Sequence, residues 1–210
     1  MPGELKLSVG QFSGRGRKEV NQDFHGACVP KAHQLASKGI AIAIADGIGS
    51  SQVSQVASQF AVTSILEDYY CTSEAWSVQT SVERVLAATN SWLHSQTQKS
   101  QYRHDMDRGY VCALSALVFK SNTAHLFHVG DTRVYQVRGQ SLEPLTTDHR
   151  TWVSSEQSYL SRALGMAWAA RSRSPPWPAS TPAMNSGATC SYTPSVASTK
   201  MSPASTGCVR

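Results

Sequence analysis

Hydrophobic and polar positions divide this chain into stretches of period two, stretches of helical period, and a final stretch with no period. Leu5, Leu7 and Val9 alternate with polar neighbours, which predicts an antiparallel strand over Leu5–Phe12. A glycine-rich basic loop, Ser13–Lys18, follows, and Asn21–Gly26 leads into a second short strand. Lys31–Gly39 reads as a polar connector. The clearest element is Gly39–Gly47, where isoleucine at 40, 42 and 44 alternates with alanine at 41, 43 and 45. One face carries bulk and the other only methyl groups, so the strand is covered on both sides, with one layer approaching closely.

Apolar residues at 53, 56, 57, 60, 62, 65, 66 and 69 then follow a helical period and predict a helix over Gln52–Tyr70. A second helix starts at Val78 or Ser81 and runs to Gln98, with Val82, Val85, Leu86, Trp92 and Leu93 on one side. The short link between them predicts an antiparallel pair. Strand signals return at Val111–Phe119 and Ala124–Val129, a hairpin around Lys120–Thr123. Val134–Val137 and Ser141–Leu145 are further strands about the turn Arg138-Gly139, and Asp148–Ala163 is expected to contain a helix. Strands, two helices and then antiparallel strands make an α+β layered architecture.

From Trp168 the periodicity stops. Leucine and isoleucine are absent after Leu164, and six of the nine prolines fall in 168–210 with nine serines. Residues 168–210 therefore read as a Pro/Ser-rich extension that cannot build a core and is expected to be disordered, distinct from a domain over 1–167.

Charge changes the picture less than the net value of +5 suggests. There is no acid after Glu156, while residues 1–167 carry 15 basic against 14 acidic side chains. The surplus is scattered over the extension, so no nucleic-acid footprint is expected. No stretch approaches the roughly 18 apolar residues of a membrane span, and the N-terminus has no secretory pattern. The five cysteines form no C-x-x-C pair, which leaves a reducing cytoplasm as the expected compartment.

Three acids stand beside strand ends or glycines: Asp23 in Asn21-Gln22-Asp23, Asp46 before Gly47, and Asp131 after Gly130. Glycine lets a carbonyl or carboxylate approach a cation closely, and oxygen-only ligands favour Mg²⁺ or Mn²⁺ over zinc. The competing reading of each Asp-Gly is a plain turn. The seven histidines show no metal spacing and are read as structural. Cys112 is read as a core residue, and Ser58 and Ser115 lack a histidine pattern for a nucleophilic triad.

These acids sit inside longer motifs. Asn21-Gln22-Asp23, Ala45-Asp46-Gly47-Ile48-Gly49 with Ala57-Ser58, Val129-Gly130-Asp131-Thr132-Arg133-Val134-Tyr135, Leu145-Thr146-Thr147-Asp148-His149 and Arg162-Ala163-Leu164-Gly165 occur in that order. Over roughly 8–166 the sequence resembles the metal-dependent protein serine/threonine phosphatases, the PPM or protein phosphatase 2C type. The stretch Gly16–Gly26 is most similar to bacterial members. The resemblance implies an αββα sandwich of two antiparallel sheets flanked by helix pairs, incomplete here at its C-terminal side. It implies a pair of Mn²⁺ or Mg²⁺ ions that activate water for direct attack on phosphoserine or phosphothreonine, with no side-chain nucleophile. Asp46 is then expected to bridge the metals, Gly47 to offer its carbonyl, Asp23 to hold water at the metals, and Asp131 to support a third, weaker ion. Phosphate is expected at Lys18, where the family usually has arginine, or at the adjacent Arg17. Lysine grips phosphate as a point charge without the bidentate fork. The implied partner is a phosphoprotein, modified by a bacterial Ser/Thr kinase.

Two departures bear on function. Gly109-Tyr110-Val111 stands where the family usually has Gly-Thr-Thr. More severely, the family's later Asp-Gly and final Asp-Asn have no counterpart, because no acid follows Glu156. Read two bases later, the codons for Ala188–Tyr192 permit Asp-Leu-Phe-Leu-His, and those for Val196–Lys200 permit Gly-Val-Tyr-Glu, which resembles the missing strand and acid. A frameshift near residue 167 is therefore one expectation for the extension. Two further readings stay open beside the phosphatase: a catalytically inactive binding module, and a non-functional frameshift product with uncovered sheet edges.

Overall fold

The computed structural model describes residue 5 and residues 7–48, 53–105, 108–155, 157–167 and 189–191. Its centre is a four-stranded antiparallel sheet in the order β1-β2-β3-β4: β1 Asp23–Cys28, β2 Ile40–Gly47, β3 Cys112–Lys120 and β4 Thr123–Val129. Helices α2 (Val53–Leu66) and α4 (Val78–Lys99) cover one face, with the short α3 (Asp68–Cys71) between them in sequence.

The alanine row of β2 explains that cover. Ala41, Ala43 and Ala45 are fully buried in one cluster with Ala57, Ala61, Val62 and Ile65 of α2. Methyl groups on both surfaces let helix and strand approach closely. Val82, Val85, Leu86 and Leu93 of α4 extend the same core towards Leu114, Val118, Phe127 and Val129. A fully buried side chain such as Ile65 or Leu93 contributes about 1.5–3 kcal/mol. Ser77 opens α4, its Oγ accepting from the Thr80 N–H at 3.0 Å.

On the other face lies the isoleucine row. Here Leu117 and Leu126 meet Val134 and Leu145, which flank the strands of a second sheet ordered β6-β5-β9: β5 Tyr135–Arg138, β6 Ser141–Pro144 and β9 Thr189–Ser191. β9 pairs antiparallel with β5, with Val137 opposite Thr189. Apart from β9, the expectation of a disordered extension over 168–210 lies outside the described residues.

Three local expectations are corrected. The alternation at Leu5–Phe12 does not make a strand: residues 7–12 have no regular structure, and Leu7, Val9 and Phe12 are exposed. Among the described residues no strand pairs with this segment. Lys31–Gly39 is not a connector but carries helix α1 (Ala32–Lys38). That helix is held by polar contacts: the buried Lys38 donates from Nζ to Thr72 Oγ1 at 2.7 Å and to the Ser73 carbonyl at 2.8 Å. The helix expected within Asp148–Ala163 is a hairpin, β7 (Arg150–Trp152) with β8 (Ser158–Leu160). Its turn is closed by Gln157 N–H donating to Ser154 Oγ at 3.1 Å, a serine bond that competes with helix formation. Among the described residues no helix is long and apolar enough to cross a membrane.

Candidate metal centre

Asp23 opens β1 and Asp46 lies one residue from the end of β2, and register makes them direct cross-strand partners. Directly opposed residues project to the same face, so both carboxylates stand on the isoleucine side of the sheet. The chain entering β1 is fixed by Asn21, whose Oδ1 accepts from the Asp23 N–H at 3.1 Å. One residue on, the Gln22 carbonyl receives two donors, the Gly47 N–H at 3.1 Å and the Ser58 hydroxyl at 2.6 Å. Strand start, strand end and helix α2 thus meet at one oxygen. Gly47 is required there because a Cβ would lie 2.4 Å from the Ser54 carbonyl.

The electrostatics follow from this geometry. Burial, reinforced by the Asp23 carboxylate, pushes the Asp46 carboxyl up to about 7, with Lys18 pulling the other way and Asp131 adding to the rise. Lys18 donates from Nζ to Gln22 Oε1 at 2.7 Å, which anchors it beside the pair. Arg17 is exposed on the same loop.

Asp131 follows Gly130, whose φ of +104° and whose contact with Ala113 (a Cβ would come within 2.4 Å) demand glycine. Ala113 is the cross-strand partner of Asp46, which brings Asp131 to the neighbourhood of the pair. Its carboxylate, however, is held by Arg150, Nη1 donating to Oδ2 at 2.6 Å. A second pair runs the opposite way between the same segments: Arg133 forks onto Asp148 at 2.9 and 2.6 Å, which holds that carboxyl below its ordinary range. Between them His149 donates its N–H to the Gly130 carbonyl at 2.8 Å and accepts the Gly130 N–H on Nδ1 at 3.1 Å.

Of the residues singled out in the sequence, the structure brings together Asp23, Asp46, Gly47 and Lys18 and places Asp131 beside them. Among the described residues no three His, Cys, Asp or Glu side chains converge closely enough to hold an ion. The donor set nonetheless suits a hard cation: it is all oxygen, and a pair of opposed, half-buried carboxylates is relieved by a positive charge. Arg150 was not singled out by the sequence, since nothing in the string Asp148-His149-Arg150 shows that the chain doubles back onto Asp131. A histidine partner for Ser115 was also missed: its Oγ lies 3.0 Å from His128 Nδ1 and 2.7 Å from Thr132 Oγ1. Ser115 and His128 are partners on β3 and β4, a register invisible before the hairpin is fixed. Both are buried, so the pair ties β3 to the Asp131 loop and offers no accessible nucleophile.

Known proteins share this fold. The family model described as protein phosphatase 2C matches residues 12–173. Protein phosphatase PhpP of Streptococcus pneumoniae is 29% identical over 150 residues, covering 69% of this chain and 54% of that protein. The chain therefore spans about half the length of the curated relatives it matches. The Mycobacterium tuberculosis serine/threonine phosphatase PstP/Ppp superposes with a TM-score of 0.53 at 25% identity, over 66% of this chain and 53% of that one. Two structures below that identity share the fold. The serine/threonine phosphatase of S. agalactiae has a TM-score of 0.61 at 19% identity, over 86% of this chain and 72% of the other. The catalytic domain of the phosphatase PstP in complex with two manganese ions has a TM-score of 0.58 at 21% identity, over 86% and 70%. With paired acids on an α+β sandwich and a matching family model over most of its length, the chain belongs to the protein phosphatase 2C family.

Proposed function

We propose that this chain is built for hydrolysis of phosphoserine and phosphothreonine in proteins, with Asp23, Asp46 and the Gly47 carbonyl holding Mn²⁺ or Mg²⁺ and Asp131 supporting a further ion. The observation that carries this reading is the cross-strand pairing of Asp23 with Asp46. Divalent cations at such a site neutralise phosphate charge and make hydroxide available near neutral pH. The chain's own residues do the rest. Asp23 orients water, and Lys18, anchored on Gln22, meets the phosphate with Arg17 next to it. The substrate is a phosphoprotein, the product of a bacterial Ser/Thr kinase. Among the described residues Cys28, Cys71 and Cys112 form no disulfide, in keeping with a reducing cytoplasm.

A second reading has its own support. With no acid after Glu156, a polypeptide of these 210 residues offers one close carboxylate pair, too little to hold two divalent ions against their mutual repulsion. Such a polypeptide binds one cation and turns over slowly. Manganese titration followed by thermal melting, together with hydrolysis of p-nitrophenyl phosphate and a phosphothreonine peptide, tests both. Mn²⁺ is expected to raise the melting temperature with little hydrolysis. Rapid manganese-dependent turnover supports the phosphatase and removes the inactive binding module. A cooperative melt indifferent to Mn²⁺ removes the metal site itself, and absence of any melt marks a non-functional product such as a frameshift would make.

A further inference from the structure

We propose that Arg150 is a built-in counter-cation for Asp131 and has to be displaced before a divalent ion can use that carboxylate, so that cation entry and the position of the β7–β8 hairpin are linked. This rests on the reading of Asp131 as a cation-supporting residue. The Arg150–Asp131 contact is short, 2.6 Å, and partly shielded, with side chains 33% and 23% exposed. The guanidinium is also held from behind, since Arg150 Nε donates to Ser158 Oγ at 3.0 Å across the hairpin. Its neighbour His149 is locked onto Gly130 by two bonds. Arginine keeps its proton at all working pH values, so the positive charge cannot be discharged in place. A divalent ion at Asp131 therefore meets a fixed like charge until the guanidinium swings away.

The consequence is reciprocal. Whatever loosens Arg150 strengthens cation binding at Asp131, and a bound cation releases the hairpin by the same factor. Beyond its base, where His149 is bonded to Gly130 and Ser161, the hairpin buries little apolar surface: Trp152, Val153 and Tyr159 are all exposed. Arg133 is engaged elsewhere: two of its three guanidinium nitrogens, Nε and Nη2, donate to Asp148.

Calorimetric titration of Mn²⁺ into the 210-residue chain and its variants tests the idea. Arg150→Gln is expected to bind Mn²⁺ about fivefold more tightly than the parent, the scale of a partly exposed ion pair. Asp131→Asn alone is expected to change affinity less than about twofold, because Arg150 already occupies that carboxylate. In the double variant the gain disappears. Equal affinity of Arg150→Gln and the parent, or a gain that survives Asp131→Asn, overturns the proposal while leaving the site at Asp46 intact. If neither the parent nor any variant binds Mn²⁺, the metal-site reading falls and this proposal with it. Ser158→Ala keeps the charge but frees its anchor, so it serves where Arg150→Gln does not fold. A smaller gain in the same direction is expected, and no gain overturns the proposal.

Discussion

Asn90 closes on the backbone of Gly165: its Oδ1 accepts the Gly165 N–H at 2.7 Å and its Nδ2 donates to the Met166 carbonyl at 3.3 Å. The side-chain amide thus stands in for a strand neighbour and fixes the segment Arg162–Met166 against α4. Asn90→Ala leaves a buried N–H without a partner and is expected to cost about 2 kcal/mol of stability by urea denaturation. Asn90→Asp keeps the acceptor but sets a second carboxylate oxygen against the Met166 carbonyl, so it is expected to lose at least as much. A loss below about 0.5 kcal/mol for the alanine variant contradicts this account.

Gly47 gives a steric prediction. An added Cβ meets the Ser54 carbonyl at 2.4 Å and the Gln22 carbonyl at 3.0 Å, both main-chain atoms that cannot swing aside. Gly47→Ala is expected to lower stability by about 1–3 kcal/mol and to weaken the manganese response of the melt. Gly10→Ala, where nothing lies within 4 Å, serves as the neutral control.

Much of this was legible in the string of residues, for identifiable reasons. The Ile/Ala alternation of β2 persists in the structure because each row meets a different layer, so Asp46 could be placed at a strand end. Helices α2 and α4 were visible from their apolar periods, although the single helix expected over Gln52–Tyr70 breaks at Glu67 into α2 and α3. Helix α1 was hidden because its anchor is a lysine ammonium hydrogen-bonded to oxygens of a distant turn. The β7–β8 hairpin was hidden because its turn is closed by local hydrogen bonds, the Val153 N–H to the Gln157 carbonyl and the Gln157 N–H to the Ser154 hydroxyl. Neither leaves a period to read. Within the site, Asp23, Asp46 and Asp131 announce themselves by their glycine and strand-end context. Arg150 and the Ser115–His128 pair depend on register and chain reversal, which no local pattern records.

A pH dependence follows from His128. Its Nε2 lies 3.2 Å from the Thr147 carbonyl, which only accepts, so Nε2 carries the proton and Nδ1 accepts from the Ser115 hydroxyl. Burial, with His149 adding to it, pushes this ring down to about 4 from 6.5. The unfolded chain takes up a proton near 6.5 and the folded one only near 4. The contribution of this ring to stability is therefore full above pH 6.5 and is lost as pH drops through that window, by at most about 3 kcal/mol. His128→Gln is expected to flatten the decline in urea midpoints between pH 7.5 and pH 4.5. An unchanged slope assigns the loss to another group.

Asp46→Asn separates stability from binding. The buried carboxylate opposite Asp23 is unfavourable when charged, so the neutral amide is expected to raise the melting temperature of the metal-free protein at pH 8. The same substitution is expected to abolish the stabilisation given by Mn²⁺. A variant that melts lower than the parent without metal, or still responds to manganese, refutes the assignment.

The Gln22 carbonyl, shared by the Gly47 amide and the Ser58 hydroxyl, has a mechanical consequence. Because α2, the start of β1 and the end of β2 are pinned to a single atom, they form a rigid joint. A load applied along α2 carries Asp23 and Asp46 together as one body. What the joint preserves under deformation is the spacing of the two charges.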